Sequence, residues 1–392
     1  MAFSNRRNFL KLSGLSVLPA VLPATGLFAA EKNILFSPAD EPTVRFGGDG
    51  EMFEPGAYIE ILKQVNATTT IARDSYGNGG AVATLEKKFE EITGKEKAIF
   101  MPTGTMANQL AIAVLSGENT KVFVQDLSHV YRDEADAAQS VFQKRLMPLA
   151  MGETCFTADE LKRAVESLSS LEVFKSGIGA VSIENPVRRA DGRMVPIDQI
   201  RKISEYCRAN NFKLHLDGAR IYMASAWSGV SVKEYASYFD TIYISLYKYL
   251  GAAAGAVLCG DKKVIEKMPH LVKIHGGTMY GNWTNAAIAL HRLEDLETRL
   301  KDVVSRSAEL FALLNKIPGI TITALNAGTN IYRFQLSKEV DGKKMQTTLR
   351  NVYNIRIPVP PDSNSHTFIT ANETLLYRDN NFIVESFKKA MV

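Results

Sequence analysis

The sequence predicts an α/β fold: a large domain on a mainly parallel sheet over residues 31–300, then a smaller C-terminal α+β domain over residues 301–392. Three observations predict it. From about residue 82, amphipathic helical stretches alternate with short apolar runs, the pattern of strands wrapped by helices. After Pro318-Gly319 the runs shorten and the alternation stops. A chain of 392 residues that is 46% hydrophobic can also bury more than one core.

Each element has a local reason. LEKKFEEITG (85–94) puts Leu85, Phe89 and Ile92 on one helical face and ends at Gly94. AIFM (98–101) follows as a strand, then TGTMANQLAIAVLSG (103–117) as a helix opening at a Gly-Thr turn, then the strand VFVQD (122–126). TADELKRAVESL (157–168) begins with Thr157 and Glu160 in capping-box spacing. IGAVSIE (178–184), FKLHLD (212–217) and TIYISLYK (241–248) are three further strands, and 282–316 is a long helical stretch leading out of the large domain. In the small domain the spacing predicts strands over 320–325 and 331–336 and helices near 343–352 and 379–391.

Composition excludes several classes of protein. With 46 Lys+Arg against 42 Asp+Glu, the formal net charge is +4, and three of those cations, Arg6, Arg7 and Lys11, sit in the first 30 residues. Neither nucleic acid nor another polyanion is implied as a partner. Cys155, Cys207 and Cys259 are far apart, so there is no CxxC pair. Residues 1–30 have a basic start, RRNFLK, a short apolar run interrupted by Pro19 and Pro23, and small residues up to Ala30. This resembles a twin-arginine export signal, and the expectation is a periplasmic or secreted mature chain beginning near Glu31. No window is long and uncharged enough for a membrane span.

Four segments carry candidate chemistry, each where a strand gives way to a turn, the place such sheets put ligands. At Pro102-Thr103-Gly104-Thr105 a helix start with a glycine suits a phosphate, although Gly-Thr there also serves as a plain cap. In LHLDGAR (214–220) a strand delivers Asp217, either to a cationic or N–H partner of a ligand or to a local pair with Arg220. Lys248 follows a buried strand and precedes a small-residue run; a desolvated lysine there is a usable amine nucleophile, and a surface lysine is the plain alternative. Asp126-Leu127-Ser128-His129 brings an imidazole to a fourth strand end, with Glu134 five residues on. Together these are the parts that hold pyridoxal 5'-phosphate: a helix start for the phosphate, an amine for the aldehyde and a carboxylate for the ring nitrogen.

The motifs DSYGNGG (74–80), KAIFMPTGTMAN (97–108), DLSHVY (126–131), Glu184-Asn185, LHLDGARIY (214–222), KYLGAAAG (248–255) and Thr329-Asn330 resemble those of the threonine aldolase and aromatic amino acid β-eliminating lyase family, fold-type I pyridoxal-phosphate enzymes. The resemblance runs from about Val44 to the C-terminus and implies a transferase-like large domain. It implies Lys248 as the lysine that carries the cofactor, Asp217 on the ring nitrogen, His129 stacked on the ring, Gly104 and Thr105 on the phosphate, and Arg220 toward the substrate carboxylate. His129, with Glu134 second, is the candidate base for a β-hydroxyl proton. A homodimer or homotetramer is implied as well, with 275–281 a candidate for the shared wall.

Three positions depart from the family pattern. Gly47-Gly48-Asp49-Gly50 stands where the family has Ser-Asp-Thr, Glu184-Asn185-Pro186-Val187 where it has Glu-Asn-Thr-His, and Ser365-His366-Thr367-Phe368 where it offers an arginine. Arg188, Arg189 and Arg193 are candidates to replace that arginine. The expected activity is cleavage of a β-hydroxy-α-amino acid to glycine and an aldehyde. The alternatives are β-elimination, racemisation or transamination of another amino acid, or an exported cofactor-binding protein without turnover.

Overall fold

The computed structural model describes residues 42–362 and 365–392; the export signal read at 1–30 lies outside them. Twelve strands are present among the described residues: β1 (Val44–Arg45), β2 (Lys97–Met101), β3 (Lys121–Gln125), β4 (Arg145–Leu149), β5 (Ile178–Glu184), β6 (Lys213–Asp217), β7 (Thr241–Ser245), β8 (Ala256–Gly260), β9 (Ile320–Ala324), β10 (Ile331–Leu336), β11 (Ile355–Arg356) and β12 (Thr367–Thr370). Seven form the main sheet in the order β2-β8-β7-β6-β5-β3-β4. Only β8 runs against the others, pairing antiparallel with both β2 and β7. The sheet is therefore mainly parallel, as the alternation of elements predicts.

Side-chain alternation along these strands builds two cores. Phe123, Val181, Ile183, Leu214, Leu216, Ile242 and Ile244 face the helices 80–93, 158–171 and 197–209, meeting Leu85, Phe89, Leu161, Ile200 and Ile203. The opposite residues, among them Met101, Tyr243 and Leu258, pack on Ala107, Leu110 and Ala111 of helix Gly104–Ser116. Helices thus cover both faces, and the near-continuous burial of β3, β5, β6 and β7 follows. The capping box at Thr157 and Glu160 forms, Thr157 Oγ1 accepting from the Glu160 N–H at 3.2 Å while Glu160 Oε2 accepts from the Thr157 N–H at 2.7 Å.

Some boundaries differ from the sequence reading. The stretch 282–316 is two helices, Trp283–Leu293 and Leu296–Leu314, interrupted at Glu294-Asp295. The strand read to residue 248 stops at Ser245, which leaves Lys248 in the turn before β8. The C-terminal layer is the antiparallel sheet β12-β10-β9 with the helices Gly342–Tyr353 and Asn380–Ala390. Its core also takes in Val44 and Phe46, because β1 pairs in parallel with β11, Val44 opposite Ile355.

A buried ionic cluster ties that layer to the turn carrying Asp49. Glu373 pairs with Arg292 and Arg299, and its Oε1 accepts the Glu51 N–H at 3.0 Å. Tyr377 donates to the Glu51 carboxylate. A Cβ on Gly50 would come within 3.2 Å of the Lys248 carbonyl oxygen, so this turn lies directly on the Lys248 segment.

Candidate active site

The parallel strands of the main sheet end on one edge, and the functional side chains follow from that. β5 ends at Glu184, β6 at Asp217 and β7 three residues before Lys248, while His129 opens the short helix His129–Arg132 after β3. Where the β3–β5 ladder stops, Gln125 continues the pairing. Its Oε1 accepts the Glu184 N–H at 2.6 Å and its Nε2 donates to the Glu184 carbonyl at 3.1 Å. A cavity of about 310 Å³ opens there, lined by Gly104, Thr105, His129, Asp217, Arg220 and Lys248, with Glu184 and Tyr247 also on its wall. Glu134 does not line it. It lies behind His129, whose Nδ1 it meets at 3.1 Å.

Asp217 and Glu184 are placed by N–H donors, Asp49 by a guanidinium. Asp217 is 2% exposed; its Oδ1 accepts the Ala219 N–H at 3.1 Å and its Oδ2 accepts from Asn108 Nδ2 at 2.9 Å. The local Asp217–Arg220 pair that the sequence also allowed does not form. Arg220 turns instead to Asp49, Nε to Oδ1 at 2.6 Å and Nη2 to Oδ2 at 2.7 Å. Burial alone would raise the Asp49 proton affinity, but the Arg220 guanidinium brings it below the usual carboxylate range. Glu184 accepts the His129 N–H at 2.7 Å on one oxygen and the Arg188 N–H at 2.9 Å on the other. Its burial, reinforced by the negative Asp217, still pushes its pKa up to about 7.

Lys248 and His129 shift in opposite senses. Desolvation, and then the neighbouring Arg220, lower the Lys248 pKa to about 8, while its Nζ sits 5.6 Å from the centre of the Tyr247 ring. The hydrogen bond to Glu134 raises the His129 pKa. Glu134 is raised as well, chiefly by burial. With Nδ1 held on Glu134, the imidazole keeps Nε2 for other chemistry.

The helix start at Gly104 is shaped by packing. Thr103 caps it, Oγ1 accepting the Met106 N–H at 3.1 Å. A Cβ on Gly104 would overlap the Tyr243 hydroxyl and its ring carbon. We expect Gly104→Ala to cost about 1–3 kcal/mol, the usual penalty for overpacking. A thermal melt checks this, and an unchanged midpoint would show that the helix start yields freely.

The three loop arginines do not line the cavity, and each pairs with an aspartate. Arg189 pairs with both oxygens of Asp133, its Nε at 2.8 Å; Arg188 reaches the same carboxylate at 3.5 Å, and Arg193 pairs with Asp191 at 3.7 Å. Sequence reasoning assigned no role to Asn108, Asp49 or Tyr243, since each acts through partners far along the chain.

A family model for the β-eliminating lyases matches residues 59–337. The chain belongs to the β-eliminating lyase family. Within it, the chain is 35% identical over 227 residues to a low-specificity L-threonine aldolase of Candida albicans, a match covering 57% of this chain and 60% of that protein. It is 28% identical over 332 residues to a probable low-specificity L-threonine aldolase of Arabidopsis thaliana, covering 84% and 93% respectively. Among solved structures, a putative L-allo-threonine aldolase from Listeria monocytogenes superposes with a TM-score of 0.74 at 23% identity, over 89% of this chain and 96% of that one. The chain thus shares the fold of that solved structure, with its cavity at the carboxyl edge of the sheet.

Proposed function

We propose that this β-eliminating lyase family member is a pyridoxal-phosphate-dependent enzyme of the threonine aldolase type, cleaving a β-hydroxy-α-amino acid to glycine and an aldehyde. The observation that carries the reading is that Asp217 at the end of β6 and Lys248 in the turn after β7, 31 positions apart in the chain, line one cavity with the helix start at Gly104. The residues suit the cofactor. The helix N-terminus at Gly104 and Thr105 offers N–H groups to a phosphate, Lys248 an amine of lowered basicity, Asp217 a fixed carboxylate for a ring nitrogen, and His129 a flat imidazole for the ring. When bound, the cofactor supplies an electron-withdrawing protonated ring that accepts the electron pair released at the substrate's α carbon.

The chain's own residues do the rest. Glu134 holds Nδ1–H of His129, which leaves Nε2 as the proposed acceptor of the β-hydroxyl proton. Glu184 is a second titratable wall of the cavity. Arg220 is oriented by Asp49, which offsets its charge and so weakens its pull on a substrate carboxylate. Supplying purified protein with pyridoxal phosphate and L-threonine or L-allo-threonine should release glycine and acetaldehyde. A loaded protein that releases neither contradicts the reading, and pyruvate from serine would point to elimination instead.

The lowered basicity of Lys248 gives a pH prediction with a defined sign. Below about 8 the amine is protonated and cannot attack an aldehyde; above it the amine is neutral. The rate of cofactor capture, followed by absorbance after mixing, should therefore rise with pH and level off just above about 8. An unperturbed lysine would level off only above about 10.4.

Self-association and export belong to the same proposal. Helix Pro55–Thr68 buries none of its residues and leaves Ile59 55% exposed, and Tyr76 and Tyr280 form an exposed aromatic pair with ring centroids 5.2 Å apart. Such apolar surface supports a homodimer or homotetramer, and light scattering that finds a monomer counts against it. The RRNFLK leader supports export. Mass spectrometry of the extracytoplasmic fraction should find a chain beginning near Glu31.

A further inference from the structure

Asn108 sits on the buried side of helix Gly104–Ser116 and is 0% exposed. Its Nδ2 donates to Glu134 Oε1 at 2.8 Å and to Asp217 Oδ2 at 2.9 Å, which uses both amide hydrogens on two carboxylates. Its Oδ1 lies 3.0 Å from His215 Nε2, and His215 Nδ1 lies 2.8 Å from Thr241 Oγ1. An amide oxygen only accepts, so Nε2 carries the imidazole hydrogen, Nδ1 is bare, and the Thr241 hydroxyl donates to it. The sense of every group follows. Turning the amide over would set its oxygen between two carboxylate oxygens, losing both of those bonds. His215 and Thr241 are also 0% exposed, so water does not offer a substitute partner.

Two acids with different tasks thereby share one donor. Asp217 lines the cavity, whereas Glu134 lies behind His129. From this geometry we infer that Asn108 is a positioning residue, held by His215 and Thr241, that keeps Asp217 ionised toward the cofactor ring nitrogen while holding Glu134 on His129. The inference rests on the cofactor reading above. It concerns the line of residues behind the cavity rather than those on its wall. Without the amide, two carboxylates would face each other with no donor between them. Asp217 would then draw the proton from the ring nitrogen. The titratable groups facing these two acids are His129, Glu184, His215, Tyr243, Tyr247 and Lys248.

The test uses the full chain loaded with pyridoxal phosphate labelled with ¹⁵N in its ring, observed by NMR across pH. In the parent protein the ring nitrogen should read as protonated. In Asn108→Leu its resonance should move toward the unprotonated value, with its titration shifted down by about one pH unit, the effect of losing one charge-assisted hydrogen bond to a buried carboxylate. His215→Leu, which keeps the amide but frees it to turn, should shift it in the same direction and less. If Asn108→Leu does not fold, His215→Leu carries the same readout. A purely structural role would lower the melting temperature and leave the resonance in place, and that result would overturn the inference. A parent chain that takes up no pyridoxal phosphate would overturn the cofactor reading and this inference together, whereas uptake with an unmoved resonance overturns this inference alone.

Discussion

Lys248→Ala should fold, hold pyridoxal phosphate without a borohydride-fixable bond, and lose at least about 10⁴-fold in turnover. One positioned catalytic group supplies up to about 10⁴-fold, and among the described residues this lysine is the only amine on the cavity wall. Folding should survive for a reason specific to the site. Lys248 is 7% exposed and its pKa is lowered to about 8. Between that value and about 10.4 the unfolded chain binds a proton that the folded chain does not, so stability from this group rises with pH across that window. Below about 8 the buried ammonium opposes folding, and replacing it by a methyl group relieves that cost while losing the packing of its stem. Turnover assays, a thermal melt and borohydride reduction together decide the matter. A variant that keeps more than about 1% of the parent rate would be incompatible with the role given to this amine.

The architecture was readable where local chemistry repeats. Short apolar runs marked β2, β3, β5, β6 and β7, since a buried parallel strand needs little but such a run. β4 escaped because Arg145 and Pro148 break its run, as suits the edge of a sheet. β8 escaped because AVLCG follows the small residues 251–255 without a turn signal of its own. The wall of the site was readable too: Asp217 ends a strand, and Lys248 and His129 each follow one. What supports that wall was not. Asn108 reaches Asp217 across 109 positions and Arg220 reaches Asp49 across 171, and nothing local in either segment announces such pairings. Arg220 in particular reads locally as a partner for Asp217, three residues away. Only the fold shows that the turn at 47–51, pinned by Glu373, brings a better-placed carboxylate. The elevated pKa of Glu184 was hidden for the same reason, because it follows from burial beside another acid.

Asp217→Ala should separate cofactor binding from catalysis. Phosphate at the Gly104 helix start and the amine of Lys248 remain, so the variant should still take up pyridoxal phosphate. Its turnover should fall by about 10²–10⁴-fold, the range for removing a group that secures a proton in the transition state. The fold should tolerate the change. Asp217 accepts only two hydrogen bonds, one from the Ala219 N–H and one from an Asn108 amide that Glu134 still engages. Its charge also raises the proton affinity of both Glu134 and Glu184, after burial itself. Removing it should let Glu184 ionise below its present value of about 7, which softens a cost that the folded state now bears. Asp217→Asn makes the argument sharper. The amide keeps the shape and an acceptor for the Ala219 N–H but carries no charge, so it should lose turnover as fully as the alanine variant. Equal losses in the two variants, with melting temperatures close to the parent, place the effect in the negative charge. Full activity in either would leave the ring nitrogen without the partner that this site requires.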